Sequence, residues 1–590
     1  MKLKNVLASV ASLMLVLSPL NVYADDTVYA TDNNGNNYTS IESAWSAANS
    51  GTAITLQTDW NLEDRLVLNE NVTAVVELNG HKISRNLTES KSDGEVIYLN
   101  KSSNLTLNGL TASQTDFTFS GYENYNTTKD VTYTSGGLIT GGYSSNGGGG
   151  IHMKKESSLN LNNVIVGGNQ AKRSCGSDGE GGAICIDGDN TNLKINNSYI
   201  VYNNANINGG GIYSDSENSS IEVTNSHINN NVTSYDGILT THGGGVYINQ
   251  NDTSFKLTNS EIKSNSGACD GGGICVNDED VSITLDNSHI DENNFSSRGG
   301  GIFVSDTDCS IEMKNNSSIN KNYGGQKGAG IHIDYTHFSV KGTDSTLNTI
   351  SENTCSENGA GIYICSNILS TSNSGEVSGL TLDSNVATCY YGSGNLTKWF
   401  SCGGGMHINQ ENVLVSNCII TNNKAAEGGG VYVDNDDATF ENVTVTNNNS
   451  WDEYGGFFVS SKNDITLKGK VIIRDNTTKS GDKIDLHLNS EVTDAYVKGT
   501  PSVGSEIGVY TDSARKFGKN VESGVASVYY SNRVGYHAEF VESEQAFYIR
   551  QDSASSIFGN GNTLIACAVM AGITVVGVVC LVVNKKKQVK

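Results

Sequence analysis

The sequence predicts an all-β chain wound into a right-handed parallel β-helix, with three strands per coil, about fourteen coils, an N-terminal helical cap and one C-terminal transmembrane helix. Three observations predict it. A Gly-Gly-Gly-Ile-type motif recurs eleven times, anchored on Ile151, Ile184, Ile212, Val246, Ile274, Ile302, Ile331, Ile362, Met406, Val431 and Phe457. The anchors Ile184 and Ile212, Val246 and Ile274, and Ile274 and Ile302 are each 28 residues apart; a period of this size marks a solenoid, and departures from it mark loop insertions. Finally, 66 of the 590 residues are Gly and only two are Pro, as expected where nearly every backbone N–H is needed for strand pairing.

The elements follow in chain order. Residues 1–24 read as a secretory signal peptide: Lys2 and Lys4 precede an apolar run from Val6 to Leu17, and a small-residue cleavage site closes at Ala24. Residues 25–51 form the cap. There Thr39-Ser40-Ile41-Glu42 opens a short helix as a capping box, Ile41, Ala44, Trp45 and Ala48 share one face, and Gly51 stops it. Residues 52–146 are irregular first coils, with strands at Ala53–Leu56, Val75–Leu78, Val96–Leu99 and Leu105–Leu107 and an inserted loop from Thr115 to Ser135.

Residues 147–480 are the regular coils. After the Gly motif, segments such as Ser220-Ile221-Glu222-Val223 alternate polar and apolar, the pattern of a half-buried strand. An apolar-x-x-Asn element then recurs, ending at Asn169, Asn203, Asn231, Asn265, Asn293, Asn322, Asn353, Asn385, Asn423, Asn448 and Asn476. Asn tolerates left-handed turn geometry, and its amide can bond the same Asn one coil away. Gly before the first strand supplies a corner with positive φ. Stacking at ~4.8 Å per coil gives a rod ~65 Å long.

Residues 481–555 lose the Gly motif and supply closing strands, and 556–562 are a linker. Residues 563–583 span a membrane: the twenty residues Leu564–Val583 carry no charge and as a helix would rise ~30 Å, the thickness of a hydrocarbon core. The basic tail 584–590 holds that end in the cytoplasm. The expected location is the cell membrane, single-pass, with the ectodomain outside. A sortase signal would need Pro shortly before the apolar run, and the only mature Pro is Pro501.

The formal charge of −25 argues against nucleic acid as a partner, since phosphate binding needs clustered Lys and Arg. Without the six terminal lysines the exported part carries about −31.

The paired Gly-Gly-[Ile/Val] and apolar-x-x-Asn motifs over residues 147–480 resemble the repeats of the polymorphic membrane protein family of bacterial adhesins. More broadly they resemble right-handed parallel β-helix surface proteins of the pectin-lyase-like class. Two departures stand out: Ile, Val or Leu replaces the family's usual Phe in apolar-x-x-Asn, and a single helix replaces its C-terminal barrel. The resemblance implies an adhesin role without barrel-mediated display.

In the first strand of each coil the residue between the two apolar positions is expected to face outward. Stacking then lines up His152, Cys185, Tyr213, Tyr247, Cys275, Phe303, His332, Tyr363, His407, Tyr432 and Phe458 on one face. Such a stripe either binds sugar rings or a protein, with Tyr213, Tyr247, Phe303, His332, Tyr363, His407 and Tyr432 as contacts, or only stabilises the sheet by stacking.

Asp187 and Asp215 fall on adjacent coils, where a carboxylate pair ~5 Å apart would suit a retaining glycosidase; solvated turn acids are the plainer reading. His332 and Asp334 form another acid/base candidate, although alternate residues of a strand lie ~6.5–7 Å apart, too far for direct contact. Polysaccharide lyases of the resembled class use a Lys or Arg base beside Ca ligands, and the nearest Arg, Arg298, lies in a loop.

No cofactor is expected, and Ca is the one ion considered, at acidic turns such as Asp278-Glu279-Asp280 and Asp434 with Asp436-Asp437. Export makes disulfides plausible, with Cys175 near Cys185, Cys269 near Cys275, Cys355 near Cys365 and Cys389 near Cys402; connectivity stays open. Three functions remain: an adhesin-like surface protein binding an extracellular glycan or host matrix protein, a polysaccharide-active lyase or glycosidase, and a non-binding stalk.

Overall fold

The structure is a computed structural model, and it describes residues 27–119, 130–172, 179–234, 240–334, 337–366, 374–388, 401–434, 437–452, 454–460, 463–490, 494–519, 521 and 523–552. The signal peptide, linker, transmembrane segment and basic tail lie outside the described residues, as do Cys175 and Cys389. Among the described residues no helix is long and apolar enough to cross a membrane.

Alternation of apolar and polar residues in short runs produces strands, and the fixed repeat stacks each strand on its counterpart one coil away. The coil from Gly209 to Ser234 shows the plan. Ile212–Asp215 is followed by Ser220–Thr224, His227–Asn229 and the two-residue strand Val232–Thr233. Each pairs in parallel with the equivalent strand of the next coil. A coil thus carries four strands where the sequence predicts three; the fourth, two residues long, is too short to show an alternating pattern.

In the first column, fourteen strands from Leu66–Leu68 to Leu486–Leu488 stack in an unbroken parallel ladder. Ile212, Ile221, Val223 and Ile228 point into the interior and are fully buried. This apolar column runs as one cluster from Ala30 to Ile549.

Two polar ladders run through the interior beside it. All eleven Asn of the apolar-x-x-Asn elements are buried, and each side-chain Nδ2 donates to Oδ1 of the next at 2.9–3.1 Å. The left-handed residue is not the ladder Asn but the one before it: Tyr202, Asn230, Ser264 and Glu292 have φ of 54–58°. That turn aims the following Asn inward. A second ladder, unseen in the sequence, joins the backbone N–H of Ser198, Ser226, Ser260 and Ser288 to the hydroxyl oxygen of Ser226, Ser260, Ser288 and Ser317.

The first Gly of a motif turns the corner with positive φ, 63° at Gly209. The second gives room: a Cβ on Gly210 would sit 2.5 Å from the carbonyl oxygen of Gly244 in the next coil.

Both ends are closed. The helix Ile41–Ala48 starts at Ser40, whose hydroxyl accepts from the Ser43 N–H, so the cap is one residue later than a box on Thr39. Ala44, Trp45 and Ala48 are buried, and Trp45 Nε1 donates to the Val67 carbonyl at 2.8 Å. Above it Ala30–Asp32 runs antiparallel to Asn37–Tyr38 and to Ile54–Leu56, ending the parallel pattern. At the other end Ala546–Gln551 pairs antiparallel with Lys516–Lys519 and Tyr536–Val541. Antiparallel strands at both ends occupy edges that would otherwise recruit another chain.

The insertion expected as a loop is a hairpin. Thr115–Phe119 pairs antiparallel with Val131–Ser135, and Phe119 packs with Leu138, Ile165, Val201 and Tyr202 on the outside of the third column.

Candidate functional site

The structure corrects the exposed aromatic stripe. The column exists in the expected register, yet Tyr213, Tyr247, Phe303, His332, Tyr363 and His407 are all buried, and Tyr432 is half-buried. The glycine corner explains why. The first Gly of each motif folds back over the outer face of the strand it leads into: a Cβ on Gly299 would meet Phe303 Cβ at 2.6 Å, and one on Gly328 would meet His332 Cβ at 2.6 Å. The residue just before that Gly adds a cover, through bridges linking Asn208, His242, Asp270, Arg298, Lys327 and Asn358 from coil to coil. Arg298 lies over the Phe303 ring at 4.7 Å and Lys327 over Tyr363 at 5.1 Å. Within the column Tyr213 and Tyr247 stack at 5.6 Å with planes 3° apart, and His407 sits 5.0 Å from Tyr363 and 4.8 Å from Tyr432.

Burial lowers the pKa of the His407 imidazole to about 3, against about 6.5 in an unfolded chain. Between those values the unfolded chain binds the extra proton, so stability falls as pH drops through this window, by about 1.4 kcal/mol per pH unit for each proton taken up. Urea denaturation at pH 7 and pH 4.5 should show this loss, and His407→Phe should remove part of it. An identical pH dependence in the variant would refute the assignment.

Asp187 and Asp215 are register partners but engage opposite neighbours. Asp187 meets Lys154 and His152 Nε2, the latter at 3.5 Å, whereas Asp215 accepts from Asn249 and Gln250 of the following coil at 3.1 and 2.8 Å. His152 and Lys154 hold the Asp187 carboxyl well below the usual carboxylate range. A glycosidase acid needs the opposite shift.

Asp187 instead belongs to an open polar cavity of about 560 Å³, lined chiefly by Arg65, Glu95, Tyr98, His152, Lys154 and Asp187. Tyr98 and His152 are consecutive members of the stacked column, 5.2 Å apart, with the Arg65 guanidinium 4.3 Å from the Tyr98 ring. Arg65 pairs with the buried Glu95, which also accepts from Ser144 at 3.3 Å. Gly147 holds the position that Glu180, Asn208 and His242 fill in later coils; a Cβ there would meet Cys185 Sγ at 3.2 Å.

His332 and Asp334 are closer than strand spacing predicts, with Nε2 3.7 Å from Oδ1. Asp334 lies one residue past the strand Ile331–Ile333, where the pleat no longer dictates its direction. Arg298, read as a loop residue, reaches it: Nη1 donates to Asp334 Oδ2 at 2.7 Å while Nε and Nη2 grip Asp270.

The acidic turns serve coil-to-coil contacts. Glu279 accepts from Asn251, Asp434 from Ser460, and Asp437 pairs with Lys498; Asp436 lies outside the described residues.

The expected cysteine pairs also need correction. Cys269, Cys275, Cys355 and Cys365 carry unbonded thiols, as does Cys185. Neighbours in sequence are carried to different sides of a coil. Cys355 sits among Ala329, Ala360 and Ala387, while Cys365 donates to Asp334 Oδ1 at 2.7 Å. Cys402 is buried, 4.0 Å from Glu427 Oε2.

No protein-family model matches the chain, and no curated protein does.

Proposed function

We propose that the chain is an adhesin-like, membrane-anchored surface rod, a right-handed parallel β-helix displayed outside the cell, that holds a segment of extracellular glycan in the Arg65–Asp187 cavity. The observation that carries this reading is the cavity itself. It opens beside the stacked pair Tyr98 and His152 and is lined with two cations, three carboxylates and a histidine. Such groups match the paired donors and acceptors of vicinal sugar hydroxyls, and the volume lies within the range of small-ligand sites, roughly 300–1,000 Å³. The rod places this site near its capped, N-terminal end, far along the chain from the predicted anchor.

Glycan-array screening of the ectodomain, residues 25–562, tests the reading. Retention of a glycan is expected, and Lys154→Ala should weaken it about tenfold, the worth of one charge-assisted hydrogen bond, without changing the circular dichroism. Full retention by the variant would remove the cavity from consideration, and an ectodomain that retains no glycan would overturn the glycan-binding reading.

A further inference from the structure

Three side chains of different chemistry meet on two consecutive coils well away from the cavity. Asp334 follows the strand Ile331–Ile333, Cys365 ends the strand Ile362–Cys365, and the register pairing Ile333 with Ile364 sets the two side by side. One donor atom from each of His332, Asp334 and Cys365 lies within 4.8 Å of the other two, and all three residues are buried. Two ligands of one tetrahedral zinc ion sit about 3.3–3.8 Å apart, so small side-chain rotations bring the three onto a common ion.

The imidazole supplies an independent observation. His332 is 1% exposed, and neither ring nitrogen has a hydrogen-bond partner. Leaving such a group unsatisfied is costly, and a metal would use the lone pair that faces Asp334. The surroundings orient and balance the site. Arg298 holds Asp334 Oδ2, which leaves Oδ1 toward His332 and Cys365, and Asp270 offsets the guanidinium charge. Outer partners of this kind fix the direction of ligating groups.

We propose that His332 Nε2, Asp334 Oδ1 and Cys365 Sγ bind Zn²⁺, which clips one coil to the next. One nitrogen, one oxygen and one sulfur suit a borderline ion, whereas Ca²⁺ takes roughly six to eight oxygens. Binding converts the Cys365 thiol, now donating to Asp334, into a thiolate bound to the metal and releases its proton to solvent. The fourth position is open to water.

The test uses the purified full chain, stripped with a chelator and titrated with Zn²⁺ and separately with Co²⁺. Binding of one ion per chain, proton release, a near-ultraviolet sulfur-to-cobalt band and a rise in melting temperature with Zn²⁺ are expected. Cys365→Ser should abolish the band, and Arg298→Gln should weaken binding about tenfold or more. X-ray absorption at the zinc edge of the wild-type chain gives a readout that does not depend on a variant folding: one sulfur and one imidazole among the ligands support the site. An oxygen-only or multi-sulfur shell, a band that survives Cys365→Ser, or no stoichiometric binding would overturn it.

Discussion

Asn293→Leu is expected to destabilise the rod by about 3–9 kcal/mol, the sum of the three buried groups it deprives of a partner at ~1–3 kcal/mol each. Asn293 donates from Nδ2 to the Ile262 carbonyl and to Asn322 Oδ1, and its own Oδ1 accepts from both the backbone N–H and Nδ2 of Asn265. Leucine fills a similar volume but offers none of these. The Asn265 backbone N–H, the Nδ2 hydrogen of Asn265 not bound to the Ile228 carbonyl, and the Ile262 carbonyl would then lose these partners in the dry interior. Because each coil contacts chiefly its neighbours, the loss should be local as well as global. Amide exchange should accelerate most at the coils carrying Asn265 and Asn293, and the urea midpoint should fall. An unfolding free energy within ~1 kcal/mol of wild type would show that the ladder contributes little.

The double variant Tyr213→Ala, Tyr247→Ala is the second large effect. These rings lie in the covered column, so truncation opens cavities that typically cost ~3–5 kcal/mol per large aromatic and removes a stacked pair worth a further ~0.5–1.5 kcal/mol. Each Tyr→Phe change should cost far less, the greater part at Tyr247, whose hydroxyl donates to Asn249 Oδ1 at 3.0 Å. The expected result is a much lower unfolding midpoint with glycan retention per folded molecule unchanged. A double variant as stable as wild type that no longer retains glycan would return the stripe to the role of binding face.

The repeat made most of the fold legible. Where one residue type recurs at one position, as with the ladder asparagines, a ladder is the only arrangement that pairs every buried amide. The burial of the stripe was not legible, because it depends on the path of the glycine corner rather than on the stripe residues. A Gly can be read as a turn, but not as a lid over the side chain four residues later.

The cavity was hidden for a different reason. Arg65 and Glu95 come from coils without the motif. The His332–Asp334–Cys365 group could have been found from the repeat alone, since aligning Ile331 with Ile362 sets Asp334 beside Cys365. Treating each strand singly concealed it.

The asparagine ladder has a direction. Every Nδ2–H···Oδ1 bond between ladder asparagines runs toward the C-terminal end, where Asp485 receives the Asn476 backbone N–H at 2.8 Å and is itself held by Asn532 Nδ2 and the Tyr530 hydroxyl. A coil inserted in register anywhere before Asp485 would find a donor below and an acceptor above, and would need no new chemistry at either face. Rod length is therefore modular, adjustable in whole coils by duplication or deletion in the gene, while the terminating carboxylate and its two partners serve as a stop that can be used only once.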